Sequence, residues 1–301
     1  MSVRSLTIPP ELVGERADKV VARLAGVSRQ IARDLIEGEE GVEVDGRRVS
    51  ASQRLEGRVV TIPIVAPPPP VAPEGVAFAV LHEDHDVLVV DKPAGVVVHP
   101  GAGRSTGTLV SGLLARYPEL EGVGQADRWG LVHRLDKETS GVLLVARTTE
   151  SYETLVAALA ARRIHRSYQA LVHGRVQMPT GTIDSPIGRD PLHPTKKKVV
   201  PDGRPSRTHY RVVWATDAVT LLEVTLETGR THQIRVHMAA IGHPVVGDRT
   251  YSRRPAPLRR TFLHAAEIRF SHPRSGAEIV VSSPLPAELA VVADRLGRLG
   301  T

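Results

Sequence analysis

The 301-residue sequence predicts an α+β fold with a mixed, mostly antiparallel central sheet, preceded by a small domain of two helices and a hairpin. Three observations predict it. Apolar runs of strand length recur through residues 76–301 without alternating regularly with helices. Two short helical patterns and a hairpin signal lie within residues 1–65. Four consecutive prolines separate the two regions, and a chain of this length has room for one large domain and a small module.

The small first domain is predicted from the pattern of residues 16–50. Gly26 breaks a helical pattern, and Ser28 is placed to cap a second helix. Asp45-Gly46 between alternating valines indicates a hairpin turn. The inward positions are Val20, Val21 and Leu24 in the first helix and Ile31, Leu35 and Ile36 in the second.

The opposite faces of these two helices are basic. They carry Arg16, Lys19, Arg23, Arg29 and Arg33. A basic helix face either contacts a polyanion or only keeps the helix hydrated. The chain has 39 lysines and arginines against 33 aspartates and glutamates, a net charge of +6, and this excess favours a polyanionic partner.

Residues 66–75 are predicted to be a linker. The four consecutive prolines at 67–70 have no backbone N–H to donate to a sheet and favour an extended, semi-rigid segment. A proline-rich recognition motif is the less common alternative. The predicted domains are therefore 1–65 and 76–301, joined by this linker.

The large domain is predicted to be built mainly of strands. Its strand-like runs are VLVVDK, GVLLVAR, SYQALVHG, THYRVVW, TLLEVTLE and EIVVSS. Its clearest helix is SYETLVAALAARR, which has apolar residues at helical spacing. GAGRSTG at 101–107 lacks the Gly-Lys-Ser/Thr ending of a phosphate-binding loop, so we interpret it as a plain loop.

The composition excludes several classes of protein. The chain has no cysteine, which excludes disulfides, thiolate metal sites and thiol nucleophiles and agrees with a cytoplasmic location. It shows no leader-like pattern and no apolar run of about 18 residues, so neither export nor membrane insertion is expected. Aromatic residues make up 3% of the chain, too few for a surface that stacks many bases of a single strand.

Three polar stretches interrupt the apolar strands, at 91–101, 133–141 and 227–237. Charged groups within strands cost stability unless they are paired or hydrated, so a shared cleft is the simplest explanation. Asp136 stands shortly before GVLLVAR, which begins at Gly141, and should lie on the turn that enters this strand. If the chain is extended from residue 233, Arg235 and Ile234 point to opposite sides. A buried Arg235 needs an anion, and Asp136 is its expected partner.

Two other kinds of site have weaker support in the sequence. His82-Glu-Asp-His85 resembles a metal site but lacks the HExxH spacing and a third ligand, so a polar turn is the simpler interpretation. Ser140 does not stand in a G-x-S-x-G turn, which argues against a serine triad.

HRLDKETSGVLLVAR is similar to the signature of the RluA/RluD family of RNA pseudouridine synthases. LETGRTHQIRVHMAAIGHPVVGD, at 226–248, is similar to a later motif of the same family. LVVDKPAGVVVHP and LHAAEIRFSHPRSG resemble it as well, and residues 14–62 resemble the S4 RNA-binding fold that often precedes the catalytic domain. The resemblance implies a pseudouridine synthase type of sheet, an S4-like domain, and an enzyme that isomerises uridine in RNA without a metal, redox cofactor or ATP.

The resemblance also implies the roles of individual residues. Asp136 would be the catalytic aspartate, which attacks the sugar or the ring or removes a sugar proton, and Arg235 would hold it charged and oriented. Tyr168 would stack on the uracil and assist the loss of the C5 proton. Arg134 would fill the space of the extruded nucleotide, and His133 would support its loop. The expected substrate-binding residues are Arg134, His133, Arg230, Ile234 and Lys92.

The expected partner is RNA, most of all large-subunit ribosomal RNA, with transfer RNA and a non-catalytic assembly role as alternatives. No membrane, metal or cofactor is expected, and the chain should act as a monomer. Basic residues that could hold the rest of the RNA are Arg162, Arg163, Arg166, Lys196, Lys197, Lys198, Arg253, Arg254, Arg259 and Arg260.

Overall fold

The computed structural model describes residues 3–27, 29–38, 41–63, 71–100, 106–125, 128–193 and 195–298. The chain divides into two compact units, Met1–Pro70 and Val71–Thr301. Within the described ranges, no helix combines the length and the apolar character needed to cross a membrane.

The first unit combines two helices with a four-stranded antiparallel sheet. Its elements are β1 (Val3–Thr7), α1 (Ala17–Ala25), α2 (Arg29–Glu37), β2 (Glu43–Val44), β3 (Arg47–Arg48) and β4 (Val59–Pro63). The strand order is β1-β4-β2-β3. Gly26 ends α1 in the left-handed conformation and Asp45-Gly46 forms the turn between β2 and β3, as predicted. Ser28, the predicted cap of α2, lies outside the described residues.

The basic face predicted for these helices is partly neutralised by ion pairs. The fully buried Asp18 accepts hydrogen bonds from Arg16 at 3.2 Å and from Arg33 at 2.9 Å. Lys19 pairs with Glu15 at 2.5 Å. Arg16 and Arg33, two of the five predicted cations, therefore stabilise the unit through the buried Asp18. The side chain of Arg29 lies outside the described part.

The second unit is built on a nine-stranded sheet with the order β5-β6-β7-β14-β8-β13-β12-β9, and β15 pairs with β14. These strands are β5 (Ala79–Glu83), β6 (Val87–Lys92), β7 (Ser140–Ala146), β8 (His165–His173), β9 (Thr180–Asp184), β12 (Arg207–Ala215), β13 (Val219–Leu226), β14 (Leu263–Ser271) and β15 (Glu278–Ser282). A separate hairpin pairs β10 (Ile187–Arg189) with β11 (Lys197–Val199). Among the described strands, only β7 and β14 pair in parallel, so the predicted mixed, mostly antiparallel sheet is confirmed.

Four helices accompany this sheet: α3 (Leu109–Arg116), α4 (Thr149–Ala160), α5 (Gln233–Ala240) and α6 (Ala287–Arg298). The helix predicted in SYETLVAALAARR is α4, which is capped by the hydroxyl of Thr148. The expectation of an extended chain from residue 233 is wrong, because this segment is α5. All residues from 233 to 238 are buried, so this part of α5 has no exposed polar face. Without such a face, the sequence does not show the 3.6-residue spacing that marks a helix, and its alternation of polar and apolar residues was misleading.

The predicted linker differs in part from the structure. Residues 66–70 lie outside the described ranges, as do 101–105 of the predicted loop. Val71 is buried in the core of the second unit. The Glu74 backbone N–H donates to the Ser111 carbonyl at 3.0 Å, and its carboxylate accepts from the Gly107 N–H at 2.6 Å. Residues 71–75 thus belong to the second unit, to which they contribute a buried side chain at Val71 and a backbone donor at Glu74.

Gly141 lets β7 and β14 lie side by side. Its φ is +112°, and a Cβ at this position would lie 2.1 Å from the carbonyl oxygen of Ala265. We expect Gly141→Ala to lower the free energy of unfolding of the second unit by about 2–4 kcal/mol, through backbone strain and loss of the parallel pairing. Urea unfolding followed by tryptophan fluorescence measures it.

Gly242→Ala is the matched control. Gly242 also has a positive φ, +86°, but a Cβ there would meet no atom within 4 Å, so the loss should be about 1 kcal/mol from backbone strain alone. Equal losses in the two variants would contradict the role given to the close approach of Gly141.

Candidate active site

A cavity of about 480 Å³ opens in the second unit. It is lined by the segment from Val132 to Thr139, by β8, by the turn after β13 and by the start of α5. Seven of the eight predicted site residues line it: His133, Arg134, Asp136, Tyr168, Arg230, Ile234 and Arg235. The polar stretches 133–141 and 227–237 therefore share a cleft, as predicted.

Asp136 and Arg235 form the predicted ion pair. Arg235 Nη1 donates to Asp136 Oδ2 at 3.0 Å. Both residues line the cavity, and the side chain of Asp136 is 16% exposed against 8% for that of Arg235, so the carboxylate is the more accessible of the two groups. Arg235 bonds to Oδ2, and the other carboxylate oxygen, Oδ1, lies 4.0 Å from His232 Nε2.

A second carboxylate, Asp248, holds the other side of Arg235. Arg235 Nε donates to Asp248 Oδ2 at 2.7 Å and Nη2 donates to Oδ1 at 2.9 Å, a two-point contact. Burial alone would lower the pKa of Arg235, but the hydrogen bonds and charges of Asp248 and Asp136 outweigh it and raise that pKa. Burial would raise the pKa of Asp248, yet the bonds from Arg235 hold it below its ordinary value.

Asp248, Tyr251 and His232 surround the ion pair but were not predicted from the sequence as site residues. The ring of Tyr251 lies over the Arg235 guanidinium, with 5.1 Å between its centroid and Cζ. The Tyr251 hydroxyl is 2.8 Å from His232 Nδ1, and His232 Nε2 is 4.0 Å from Asp136 Oδ1. His232 has a φ of +60° at the start of α5, an uncommon conformation for a residue with a side chain. The motif VVGD, which the resemblance already included, was the signal for Asp248.

Tyr168 lies on β8 with its side chain buried. Its hydroxyl makes no hydrogen bond to any residue in the described ranges, although it lines the cavity. Burial raises the pKa of Tyr168, so the phenol is neutral at physiological pH and can donate a hydrogen bond to a ligand.

His133 supports the loop that carries Asp136. Its Nε2 accepts the backbone N–H of Leu144 at 3.1 Å, so the hydrogen of the neutral ring is on Nδ1. Burial, assisted by the charge of Arg166, lowers the pKa of His133 to about 3. The ring is therefore neutral and structural, which agrees with the expectation of loop support.

Lys92, expected to bind substrate, does not line the cavity. It is fully buried, and its ammonium donates to the carbonyls of Pro93 at 2.8 Å, Val96 at 2.9 Å and Lys137 at 3.2 Å. Burial lowers its pKa to about 7. Because Lys137 follows Asp136, this ammonium ties the DKPAG segment to the loop of the aspartate. We correct the expected role of Lys92 from substrate contact to support of that loop.

Arg134 and Arg230 lie at the edge of the cavity. Arg134 Nη1 lies 3.2 Å from His99 Nε2, and His99 Nδ1 is 2.7 Å from the carbonyl of Pro100. The third polar stretch, 91–101, thus reaches the site through His99. Arg230 Nε donates to the Pro205 carbonyl at 3.3 Å, which leaves most of its guanidinium available.

A serine and a histidine do lie within hydrogen-bonding distance of each other, but away from the cavity. Ser140 Oγ lies 2.9 Å from His264 Nδ1, and both residues are buried. Ser140 Oγ also accepts a hydrogen bond from Arg260 Nη2 at 2.7 Å. A hydroxyl that accepts from a guanidinium is a poor nucleophile, and neither residue is among those lining the cavity. This pair packs the start of β7 against β14.

The metal alternative at 82–85 is explained by a network of ion pairs. Ligand atoms of Asp84, Asp86 and His272 lie within 4.8 Å of one another. However, His272 Nδ1 accepts the backbone N–H of Arg274 at 3.2 Å, so its Nε2 carries the hydrogen and faces Asp84 at 3.3 Å. A protonated ring nitrogen cannot bind a metal, and Arg274 already supplies a positive charge 2.7 Å from Asp86.

The buried neutral state of His133 makes stability depend on pH. Below the ordinary histidine pKa of about 6.5, His133 is protonated in the unfolded chain, whereas in the folded chain it stays neutral down to about pH 3. The free energy of unfolding therefore decreases as the pH is lowered from about 6.5 to about 3. We expect wild-type protein to lose about 2 kcal/mol more than His133→Gln between pH 7 and pH 5. Urea unfolding of both proteins at the two pH values measures the difference.

Glutamine is chosen because its amide oxygen can accept the Leu144 N–H in place of Nε2. Other buried histidines remain in both proteins and cancel in the comparison. Identical losses for the two proteins would show that His133 is protonated, or hydrated, in the folded state.

Comparison with known proteins identifies the family. Residues 86–240 match the family model described as RNA pseudouridylate synthase. A Chloroflexus aurantiacus protein named an uncharacterized RNA pseudouridine synthase is 48% identical over 97% of this chain and 93% of its own. Ribosomal large subunit pseudouridine synthase D of Nitrosomonas europaea is 41% identical over 98% of this chain and 88% of its own.

A solved structure agrees with these matches. Human RNA Pseudouridylate Synthase Domain Containing 1 superimposes with a TM-score of 0.57 at 31% identity, over 70% of this chain and 84% of the human one. The expected pseudouridine synthase type of fold is thereby confirmed. The match of residues 86–240 contains the loop of Asp136, the strand of Tyr168 and the helix of Arg235, and the chain belongs to the RNA pseudouridine synthase family.

Proposed function

We propose that this RNA pseudouridine synthase modifies uridines of large-subunit (23S) ribosomal RNA. Relatives named ribosomal large subunit pseudouridine synthase D, from Nitrosomonas europaea and Xanthomonas campestris, are 41% and 44% identical over nearly the whole chain. The net charge of +6 suits a large polyanionic substrate. The observation that carries the proposal is the carboxylate of Asp136, held by a buried guanidinium at the wall of a cavity that can admit one nucleotide.

The reaction breaks the C1′–N1 bond of uridine and forms a bond between C1′ and C5. The C5 proton leaves and N1 gains a proton, so the overall composition does not change. We propose Asp136 as the catalytic group. Attack on the sugar, attack on the ring and removal of a sugar proton all require an anionic carboxylate at the start. Arg235 supplies the adjacent positive charge and fixes Asp136, and Asp248 prevents Arg235 from turning towards the substrate.

Tyr168 and Arg134 have separate roles in the proposal. Tyr168 is placed to stack on the uracil and to donate from its unpartnered hydroxyl. Extrusion of a base from a helix costs a few kcal/mol, and Arg134, at the edge of the cavity, would occupy the space that the base leaves. The contact with His99 holds Arg134 in reach before RNA binds.

We also propose that the first unit is an S4-like RNA-binding domain. The order of two helices followed by a hairpin within 14–62 supports this. Three of its cations are engaged with Asp18 and Glu15, so contact with RNA would rest on other basic residues, such as the exposed Arg23 and Arg47.

Asp136→Asn tests the catalytic proposal. The amide retains the shape and a hydrogen-bond acceptor for Arg235 but has no charge, so we expect tritium release from C5-labelled uridine RNA to fall at least about 10⁴-fold. RNA affinity should stay within about threefold of wild type. Release at a normal rate would remove Asp136 from the chemistry.

The substrate proposal is tested by mapping pseudouridine in cells with and without this chain. We expect one or more sites in large-subunit ribosomal RNA to revert to uridine, and reintroduction of wild type but not of Asp136→Asn to restore them. Loss confined to transfer RNA would replace the proposed substrate, while leaving the enzyme class intact.

A further inference from the structure

Arg166 is a buried cation that forms no ion pair with the residues that the structure describes. It lies on β8 two residues before Tyr168, so the two side chains leave the same face of the strand, and both line the cavity. The residue is 7% exposed. Its Nε is fully enclosed and has no hydrogen-bond partner, and the guanidinium forms no ion pair with any residue in the described ranges.

Among the described residues of the second unit, the other buried arginine is Arg235, and it is paired. Arg235 makes three hydrogen bonds to two carboxylates. Even the half-buried Arg260 pairs with Glu288 at 3.1 Å, and the half-buried Arg147 pairs with Glu119 at 2.7 Å. Arg166 is therefore an exception within the described residues, and a buried charge without a partner costs several kcal/mol of stability.

No carboxylate of the cavity is free to neutralise Arg166. The lining arginines are Arg134, Arg162, Arg166, Arg230 and Arg235, whereas the lining carboxylates are only Asp136 and Glu227. Asp136 is bound to Arg235, and Glu227 to Arg162 and His209. Burial, and after it the charge of Arg166, lowers the pKa of His133.

The neighbouring turn is shaped around the guanidinium. A Cβ at position 229 would lie 2.8 Å from Arg166 Nη1, so the absence of a side chain at Gly229 lets the guanidinium lie against the turn. Gly229 also lines the cavity. The end of Arg166 is thus held by packing alone, with its terminal nitrogens left for a ligand.

We propose that Arg166 binds a phosphodiester group of the RNA next to the extruded uridine. A uracil is neutral and would accept a hydrogen bond without balancing the charge, whereas each nucleotide that enters the cavity brings one negative charge. Arg166 is then a substrate-binding residue that the free protein keeps at a cost in stability. The inference rests on the proposed function, since it takes RNA to be the occupant of the cavity.

The first test is the stability of the free protein. Arg166→Met keeps the length of the side chain and removes the charge, so we expect the melting temperature of the second unit to rise by about 2–4 °C. Arg295→Met, at an exposed position of α6, is the matched control and should leave it within about 1 °C. A melting temperature of Arg166→Met at or below the wild-type value would overturn the proposal.

The second test is a double-mutant cycle with RNA. The probe is a ribosomal RNA stem-loop that the wild-type protein modifies, with a neutral methylphosphonate in place of the phosphodiester 5′ or 3′ of the target uridine. We expect one of these two probes to lower wild-type affinity about tenfold or more and to have no further effect in Arg166→Met. The slope of log K against the logarithm of the salt concentration should also become shallower in Arg166→Met, by the amount that corresponds to about one phosphate contact.

The proposal would be overturned if, for both methylphosphonate probes, the loss of affinity were the same in Arg166→Met as in the wild-type protein. Arg166 would then contact the base, or no part of the RNA, and not either phosphodiester. The cycle measures binding by fluorescence anisotropy and does not depend on turnover. Failure of the proposed function would instead appear as no tritium release by the wild-type protein from any ribosomal RNA probe. The two failures are therefore distinguishable.

Discussion

The chain of charges Asp248–Arg235–Asp136 is the interaction on which the site depends. Taking a guanidinium out of water is costly, and two carboxylates offset that cost only because each bond is close to ideal in length. Asp248, at 2% exposure, is the structural end of the chain, and Asp136 is the end that meets the cavity. A carboxylate held in this way has little freedom to rotate, so its position at the wall of the cavity is fixed.

Around this chain, the loop of Asp136 is fastened by neutral or weakly basic groups. The ammonium of Lys92 satisfies three carbonyls, one of them that of Lys137. His133 accepts a backbone N–H from β7 with an uncharged ring. Neither Lys92 nor His133 forms an ion pair with Asp136. The ion pair with Arg235 is therefore the dominant interaction of this carboxylate.

Much of the fold followed from patterns of residues, and so did the pairing of Arg235 with Asp136. All six strand-like runs form strands, because β-branched stretches bounded by turns have few alternatives. Helix α5 was missed because every side chain from 233 to 238 is buried, so no period was visible. Asp248, His232 and Tyr251 were not predicted for another reason: their importance comes from three-dimensional contacts with Arg235 and Asp136. The motif at 226–248 contains His232 and Asp248, but no local pattern of residues assigns these contacts to them.

The position of β14 has a consequence for when the enzyme can become active. Asp136 precedes β7 and Tyr168 lies on β8, yet these two strands do not touch, since β14 is inserted between them. The separation of acid and phenol is therefore set by residues 263–271, about a hundred positions later in the chain. During synthesis, the part of the chain that emerges first holds Asp136, Tyr168 and Arg235, but it lacks β14, the strand that sets the distance between β7 and β8. The enzyme can therefore become active only after β14 has joined the sheet. Activity thus depends on the completion of a sheet whose strands pair over long distances in the sequence.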